Sequence, residues 1–370
     1  MRASSLYLHV PFCISKCPYC AFSSAPKRRG DEARWLDAVS REFALRAPGA
    51  GALDTLYIGG GTPSVLSFAT WRRLIALIEG AFAFAPDAEV TVELNPGALS
   101  PDILRLWRDW RVTRTSVGAQ SFDDDELVFL GRTHRAREAA DAVCACRAAG
   151  FSASLDLMFG LPGGTLRGWA ANLSTVLSLL PDHISIYQLS IEPQTPFGDA
   201  DARTPFALPD GYAPYRYAQW LLPRRGYSQY EVASFARPGR ESRHNLGYWA
   251  DKAYLGIGPA AWGYLDGTRY RNAPTLEAYA APLSAGKLPV VYEERLEGEA
   301  AARQAAVLAL RTCAGIPWEA FAEKHGQGLA ALLRRELERF APDFVRIDDL
   351  HARMTPRGLR LGNEIWSELI

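Results

Sequence analysis

The stretch Leu6-Tyr7-Leu8-His9-Val10-Pro11-Phe12-Cys13-Ile14-Ser15-Lys16-Cys17-Pro18-Tyr19-Cys20 begins as an apolar run of strand length and ends as a loop with C-x3-C-x2-C spacing. Thiolates are the standard ligands of iron–sulfur clusters, and a cubane held wholly by protein takes four of them. No fourth cysteine lies near Cys13, Cys17 and Cys20, so one iron keeps an open position, which marks a reactive rather than a structural metal site. A zinc site normally wants four ligands, and the nearest imidazole, His9, sits on the predicted strand. A disulfide framework fits poorly with a 370-residue chain holding six cysteines. The remaining three, Cys144, Cys146 and Cys313, fall in helical segments, where they are expected to act as small buried hydrophobes.

Outward from this loop, apolar runs recur at 6–10, 55–60, 89–95, 113–120, 152–159 and 183–191, each followed by an amphipathic stretch. Segments 32–45, 67–82, 101–110, 135–149, 166–180 and 211–225 read as helices. Ser100 before Pro101 supplies a capping hydroxyl and a first-turn proline. Gly150 stands where a left-handed residue closes a helix. Six alternations of strand and helix predict parallel strands joined by crossover helices: an α/β fold, a partial (β/α)6 TIM-like barrel. Active-site groups of such barrels gather at the C-terminal strand ends. There lie the three cysteines, then Gly59-Gly60-Gly61-Thr62-Pro63, Glu93 to Pro96, Gln120-Ser121 and Gly160-Leu161-Pro162-Gly163.

Beyond residue 226 the period gives way to a glycine- and aromatic-rich segment containing His244-Asn245-Leu246-Gly247-Tyr248-Trp249. A helical run, a short hairpin and a last helix follow from 299 and suggest a winged-helix-like module. The expected domains are therefore 1–225 (barrel), 226–298 (accessory segment) and 299–370 (C-terminal helical module). Lys plus Arg equals Asp plus Glu at 41 each, so no global field favours nucleic acid or an anionic membrane. The C-terminal module is almost charge-balanced, which speaks against a DNA-binding face. No apolar run is long enough to span a bilayer. Met1 to Ser5 run straight into a strand without a secretion signal, and free thiolates need a reducing compartment; both predict a cytoplasmic protein.

Taken together, Tyr7 to Cys13, the cysteine spacing and the Gly-Gly-Gly-Thr-Pro run resemble the radical S-adenosylmethionine (SAM) superfamily. More narrowly they are similar to its coproporphyrinogen III dehydrogenase (HemN-like) branch. Gly118-Ala119-Gln120-Ser121-Phe122, Asp156 to Pro162 and the His-Asn-Leu-Gly-Tyr-Trp run narrow the resemblance to the HemW type, which are regarded as heme chaperones. The resemblance implies a [4Fe-4S] cluster on Cys13, Cys17 and Cys20, with SAM chelating the open iron. It also implies heme as a further ligand and a heme-accepting protein, such as a respiratory hemoprotein, as partner; a homodimer is left open. Against the alternative reading, an oxygen-independent coproporphyrinogen III dehydrogenase, Phe22 stands where that enzyme carries a further cysteine. Radical chemistry on another substrate is the third reading.

By the same resemblance Gly60, Gly61 and Thr62 receive the methionine end of SAM, and a glycine run lets backbone approach a ligand closely. It is not a Walker loop, because no Gly-Lys-Ser/Thr follows. Glu93 ends an apolar strand, where an acid is costly unless paired; the resemblance makes it a SAM contact. Gln120 and Arg132 carry over as polar contacts to SAM's methionine and ribose. Asp156, flanked by Leu155 and Leu157, needs a partner, for which a ribose hydroxyl would serve. Tyr7 packs by the cluster, and Phe22, Ser190 and Trp262 complete the implied cofactor contacts. His244 is the candidate heme contact, imidazole being a common axial ligand. Two positions depart from the type: Ala21 replaces a common aspartate, and Trp262 stands where many relatives carry histidine and cannot ligate iron.

Overall fold

Seven parallel strands organise the N-terminal part of the chain: Ala3–Val10 (β1), Ala50–Gly60 (β2), Phe84–Leu94 (β3), Arg114–Gln120 (β4), Ser152–Phe159 (β5), His183–Gln188 (β6) and Leu255–Ile257 (β7). They lie side by side in the order β7-β1-β2-β3-β4-β5-β6. Helices Asp31–Arg46 (α1), Phe68–Ala81 (α2), Pro101–Asp109 (α3), Ala136–Ala148 (α4) and Leu166–Leu179 (α5) make the crossovers. A computed structural model of the chain gives these positions and describes residues 3–199 and 210–370. Strands covered on both faces need apolar residues on both faces. Accordingly Leu6, Leu8, Val10, Leu155 and Leu157 are all fully buried.

Local chemistry sets the boundaries. Ser67, Ser100 and Thr165 each accept a backbone N–H from the first turn of α2, α3 and α5. Gly150 closes the run after α4 with φ of 90°. The one barrel strand absent from the sequence reading is β7. Its three residues lie within the segment expected to be an accessory, yet Leu255 pairs with Leu6 and Ile257 with Leu8. A run that short in a glycine-rich stretch carries no periodic signal. The strand expected over 183–191 is shorter than its apolar run and ends at Gln188.

Contacts divide the chain into two units, Met1–Gly211 with Ala253–Glu294, and Tyr212–Lys252 with Arg295–Ile370. The first also holds a small antiparallel sheet of Trp262–Leu265 (β8), Thr268–Asn272 (β9) and Val290–Arg295 (β10). A buried network ties this addition to α1. Glu42, with no exposed side-chain surface, accepts from Arg46 Nε (2.7 Å), Asn272 Nδ2 (2.8 Å), Tyr279 OH (2.5 Å) and Gly258 N (2.9 Å).

The second unit carries helices Gly298–Leu310, Trp318–His325 and Gln327–Leu337 with a three-stranded sheet of Ile316–Pro317, His351–Met354 and Val345–Ile347, in that order, as the winged-helix expectation has it. Ala306, Leu310, Leu337 and Val345 are fully buried in its core. Cys146 is buried, but Cys144 is exposed, contrary to expectation, because two residues apart on a helix cannot face the same core. No helix among the described residues is long and apolar enough to cross a membrane.

Candidate cofactor site

β1 delivers the chain to the C-terminal edge of the sheet, where Phe12–Cys13 pairs with Ala25–Pro26. That pairing closes residues 14–24 into a loop. Ala25 N–H donates to the Pro11 carbonyl (3.0 Å) and Lys27 N–H to the Cys13 carbonyl (3.2 Å), while Cys20 N–H returns to the Cys17 carbonyl (3.1 Å). All three cysteines are free and partly exposed. Each sulfur has its own donor: Thr62 Oγ1 at 3.6 Å from Cys13 Sγ, Arg132 Nη1 at 3.6 Å from Cys17 Sγ, and the Phe22 backbone N–H on Cys20. Burial pushes the Cys20 thiol up and the Phe22 N–H pulls it back. That N–H favours the Cys20 thiolate, the form that binds metal, against the effect of burial. Among the described residues no three His, Cys, Asp or Glu side chains gather as a single-ion site; a cluster takes its thiolates on separate irons.

His9 holds the loop to the sheet. Its Nε2 lies 2.8 Å from the Ser23 carbonyl, which can only accept, so Nε2 carries the proton and Nδ1 accepts from Tyr7 OH at 3.1 Å. Burial lowers the His9 pKa to about 4, keeping the ring neutral. Gly60, at φ of 111°, leaves room for this imidazole: a Cβ there would stand 2.5 Å from the ring. A Cβ on Gly61 would stand 2.5 Å from the Phe12 carbonyl oxygen. Gly61 N–H and Thr62 N–H donate to the Val10 and Phe12 carbonyls at 2.8 and 2.7 Å. The close approach that the glycine run permits is therefore to His9 and Phe12 of the protein itself.

Glu93 accepts from Tyr57 OH at 2.8 Å and from Gly60 N–H at 2.9 Å, so it caps no helix. Burial nevertheless pushes its pKa up to about 7, and nearby Asp156 adds to the rise. Asp156 takes the Ser116 hydroxyl at 3.1 and 3.3 Å; burial raises its pKa to about 6. On β4 a bulge between Gly118 and Gln120 puts Gln120 in a left-handed conformation, φ 67°. Arg132 Nη2 donates to the Gly118 carbonyl at 2.8 Å, and its buried Nε has no partner among the described residues. A Cβ on Gly118 would lie 3.0 Å from Gln120 Nε2 and 3.5 Å from Arg132 Nη2, so the missing side chain is what lets these two groups converge. Three thiols with donors, two carboxylates and an unsatisfied guanidinium N–H at one sheet edge fit an anionic metal cluster and a zwitterionic, cationic ligand.

The other expected contacts sit differently. Phe22 is 69% exposed on the cysteine loop. Ser190 is exposed and its hydroxyl donates to Glu192 at 2.8 Å. Trp262 is carried by β8, with its ring 5.4 Å from that of Tyr292. His244 belongs to the second unit and is 1% exposed, with Nε2 2.8 Å from Tyr248 OH. Sequence reasoning missed His9, Tyr57 and Ser116 as site residues. A buried acid demands donors, and that demand could have pointed to Tyr57 and Ser116, each on the neighbouring strand of the sheet, 36 and 40 residues away in sequence.

A pH prediction follows from Glu93. Its folded pKa is raised from 4.5 to about 7, so the folded state keeps a proton that the unfolded state has released. Stability contributed by Glu93 is thus present at low pH and lost as pH rises from about 4.5 to about 7. The buried histidines work in the opposite sense, so the comparison must be differential. Thermal unfolding followed across this window should show the parent losing stability relative to Glu93→Gln; parallel profiles would refute the assignment.

A fold of this kind with a three-cysteine loop on its first strand defines a radical SAM protein, and the radical SAM superfamily model matches residues 7–173. The HemN C-terminal domain model matches residues 296–361. The heme chaperone HemW of Bacillus subtilis is 34% identical over 99% of both chains, and that of Escherichia coli 38% identical over 73% of each. The chain belongs to the HemW family. Among solved structures, coproporphyrinogen III oxidase (HemN) of Escherichia coli superposes with a TM-score of 0.86 at 24% identity, covering 100% of this chain and 90% of that one, which establishes the shared fold.

Proposed function

We propose that this chain is a cytoplasmic heme chaperone that binds heme and passes it to an acceptor hemoprotein. The observation carrying this reading is end-to-end similarity to the Bacillus subtilis heme chaperone HemW. Cys13, Cys17 and Cys20 hold a [4Fe-4S] cluster in this reading, and SAM lies at the sheet edge beside it. When bound, the cluster supplies an open iron for SAM's amino and carboxylate groups and an electron for its sulfonium. Glu93 and Asp156 offer negative charge to the cationic groups of SAM. Such a cation lowers the cost of ionising two neighbouring buried carboxylates. Arg132 Nε is a free donor for a carboxylate or hydroxyl of the same ligand.

Heme contact is assigned to His244. Its Nε2 is engaged by Tyr248, so iron ligation there calls for that hydroxyl to let go. The test is anaerobic reconstitution of the cluster, then heme titration in one arm and coproporphyrinogen III with SAM and reductant in the other. Stable heme binding without vinyl-group formation is the expected outcome. Turnover to protoporphyrinogen would overturn the chaperone reading in favour of the dehydrogenase. His244→Ala should weaken heme binding by tenfold or more, about 1.4 kcal/mol; unchanged affinity would remove His244 from the site.

A further inference from the structure

The three cysteine sulfurs are met by three chemically different donors. Cys13 has a neutral hydroxyl, Cys17 a guanidinium and Cys20 a backbone amide. Two of the donors are side chains from outside the loop. Thr62 follows the glycine run, its N–H bonded to the Phe12 carbonyl at 2.7 Å, so its hydroxyl is delivered beside Cys13 by backbone pairing. Arg132 is fixed by its own backbone partner: Nη2 donates to the Gly118 carbonyl, and Nη1 lies on Cys17. Gly131, just before it, lies against the same loop. At φ of 66° a Cβ there would stand 2.6 Å from Pro18 Cδ, and its carbonyl faces Cys17 Sγ at 3.9 Å. The loop and the segment carrying the guanidinium are therefore packed together without room for a side chain between them.

We propose that Thr62 and Arg132 are tuning residues that set the reduction potential of the cluster through the sulfurs of Cys13 and Cys17. The proposal rests on the reading of these cysteines as cluster ligands. A reduced cluster carries more negative charge on its thiolates than an oxidised one. A donor or cation at sulfur therefore stabilises the reduced form and raises the potential. Arg132 acts by charge as well as hydrogen bonding and has the larger effect. Thr62 acts by hydrogen bonding alone. This role differs from contact with SAM because it operates with no SAM present.

The test is a potentiometric titration of the reconstituted cluster, followed by electron paramagnetic resonance, without SAM. Iron and sulfide content is measured first. Failure of the parent protein to bind a cluster would sink the cysteine reading, separately from this one. In Arg132→Gln the ratio of reduced to oxidised cluster at fixed potential should fall about tenfold, a shift of about 59 mV to the negative for one electron. Thr62→Val should shift the same way by less. Thr62→Ser, which keeps the hydroxyl, and Arg132→Lys, which keeps the charge, should stay closer to the parent. Loaded Arg132→Gln and Thr62→Val proteins titrating at the parent's potential would overturn the proposal. So would loss of the cluster from both while Thr62→Ser and Arg132→Lys load fully, since that result makes the donors assembly elements.

Discussion

Cys17→Ala protein, purified without oxygen and supplied with iron and sulfide, will hold no stable [4Fe-4S] cluster. Its iron and labile sulfide will fall to background and its reduced spectrum will be silent. Only three thiols come from the loop, so losing one leaves two irons without protein ligands. The other cysteines lie outside the loop: Cys146 is fully buried on α4, Cys144 lies exposed on the same helix, and Cys313 belongs to the second unit. Cys144→Ala should load like the parent. A Cys17→Ala protein with full iron and sulfide would remove the ligand assignment and the SAM site that leans on it.

Glu42→Ala should destabilise the first unit by roughly 3–5 kcal/mol, the usual cost of stripping one partner from a buried ion pair. Arg46, 6% exposed, would keep its charge beside Tyr270, whose ring centroid is 4.0 Å from Cζ, and Asn272 at 3.3 Å. Gly258 N–H and Tyr279 OH would lose their acceptor as well. Replacing both charges by Glu42→Leu and Arg46→Met should recover much of the loss, because the penalty lies in the unpaired charge. Calorimetry decides it. A single variant that melts with the parent would show that the pair carries no such weight.

The strands and helices of the first unit were legible because each apolar run ends in a polar or glycine marker that the fold places at the sheet edge. Ser152–Phe159 is bounded as expected from Ser, Phe and the following Gly160. The three-cysteine loop was visible from spacing alone, and Glu93 and Asp156 stood out as acids on apolar strands. Illegible was whatever depends on contacts between residues far apart in sequence. Tyr57 meets Glu93 across 36 residues, and His9 finds Ser23 across 14. Gly60 and Gly61 were legible as required glycines, but not for which neighbour, since the crowding imidazole comes from β1 and the crowding carbonyl from Phe12 just beyond it. The resemblance likewise grouped Phe22, Ser190 and Trp262 by sequence position, a criterion blind to where their side chains face.

Because β7 completes the flank of β1, the first strand translated is among the last to be finished. Leu6 and Leu8 must wait for residues near 255, and Tyr212–Lys252 is threaded out into the other unit in between. Non-local pairing of this span is slow to form. The cysteine loop therefore hangs from a half-built bed until about two thirds of the polypeptide has left the ribosome, so its geometry is a late product of synthesis rather than an early one.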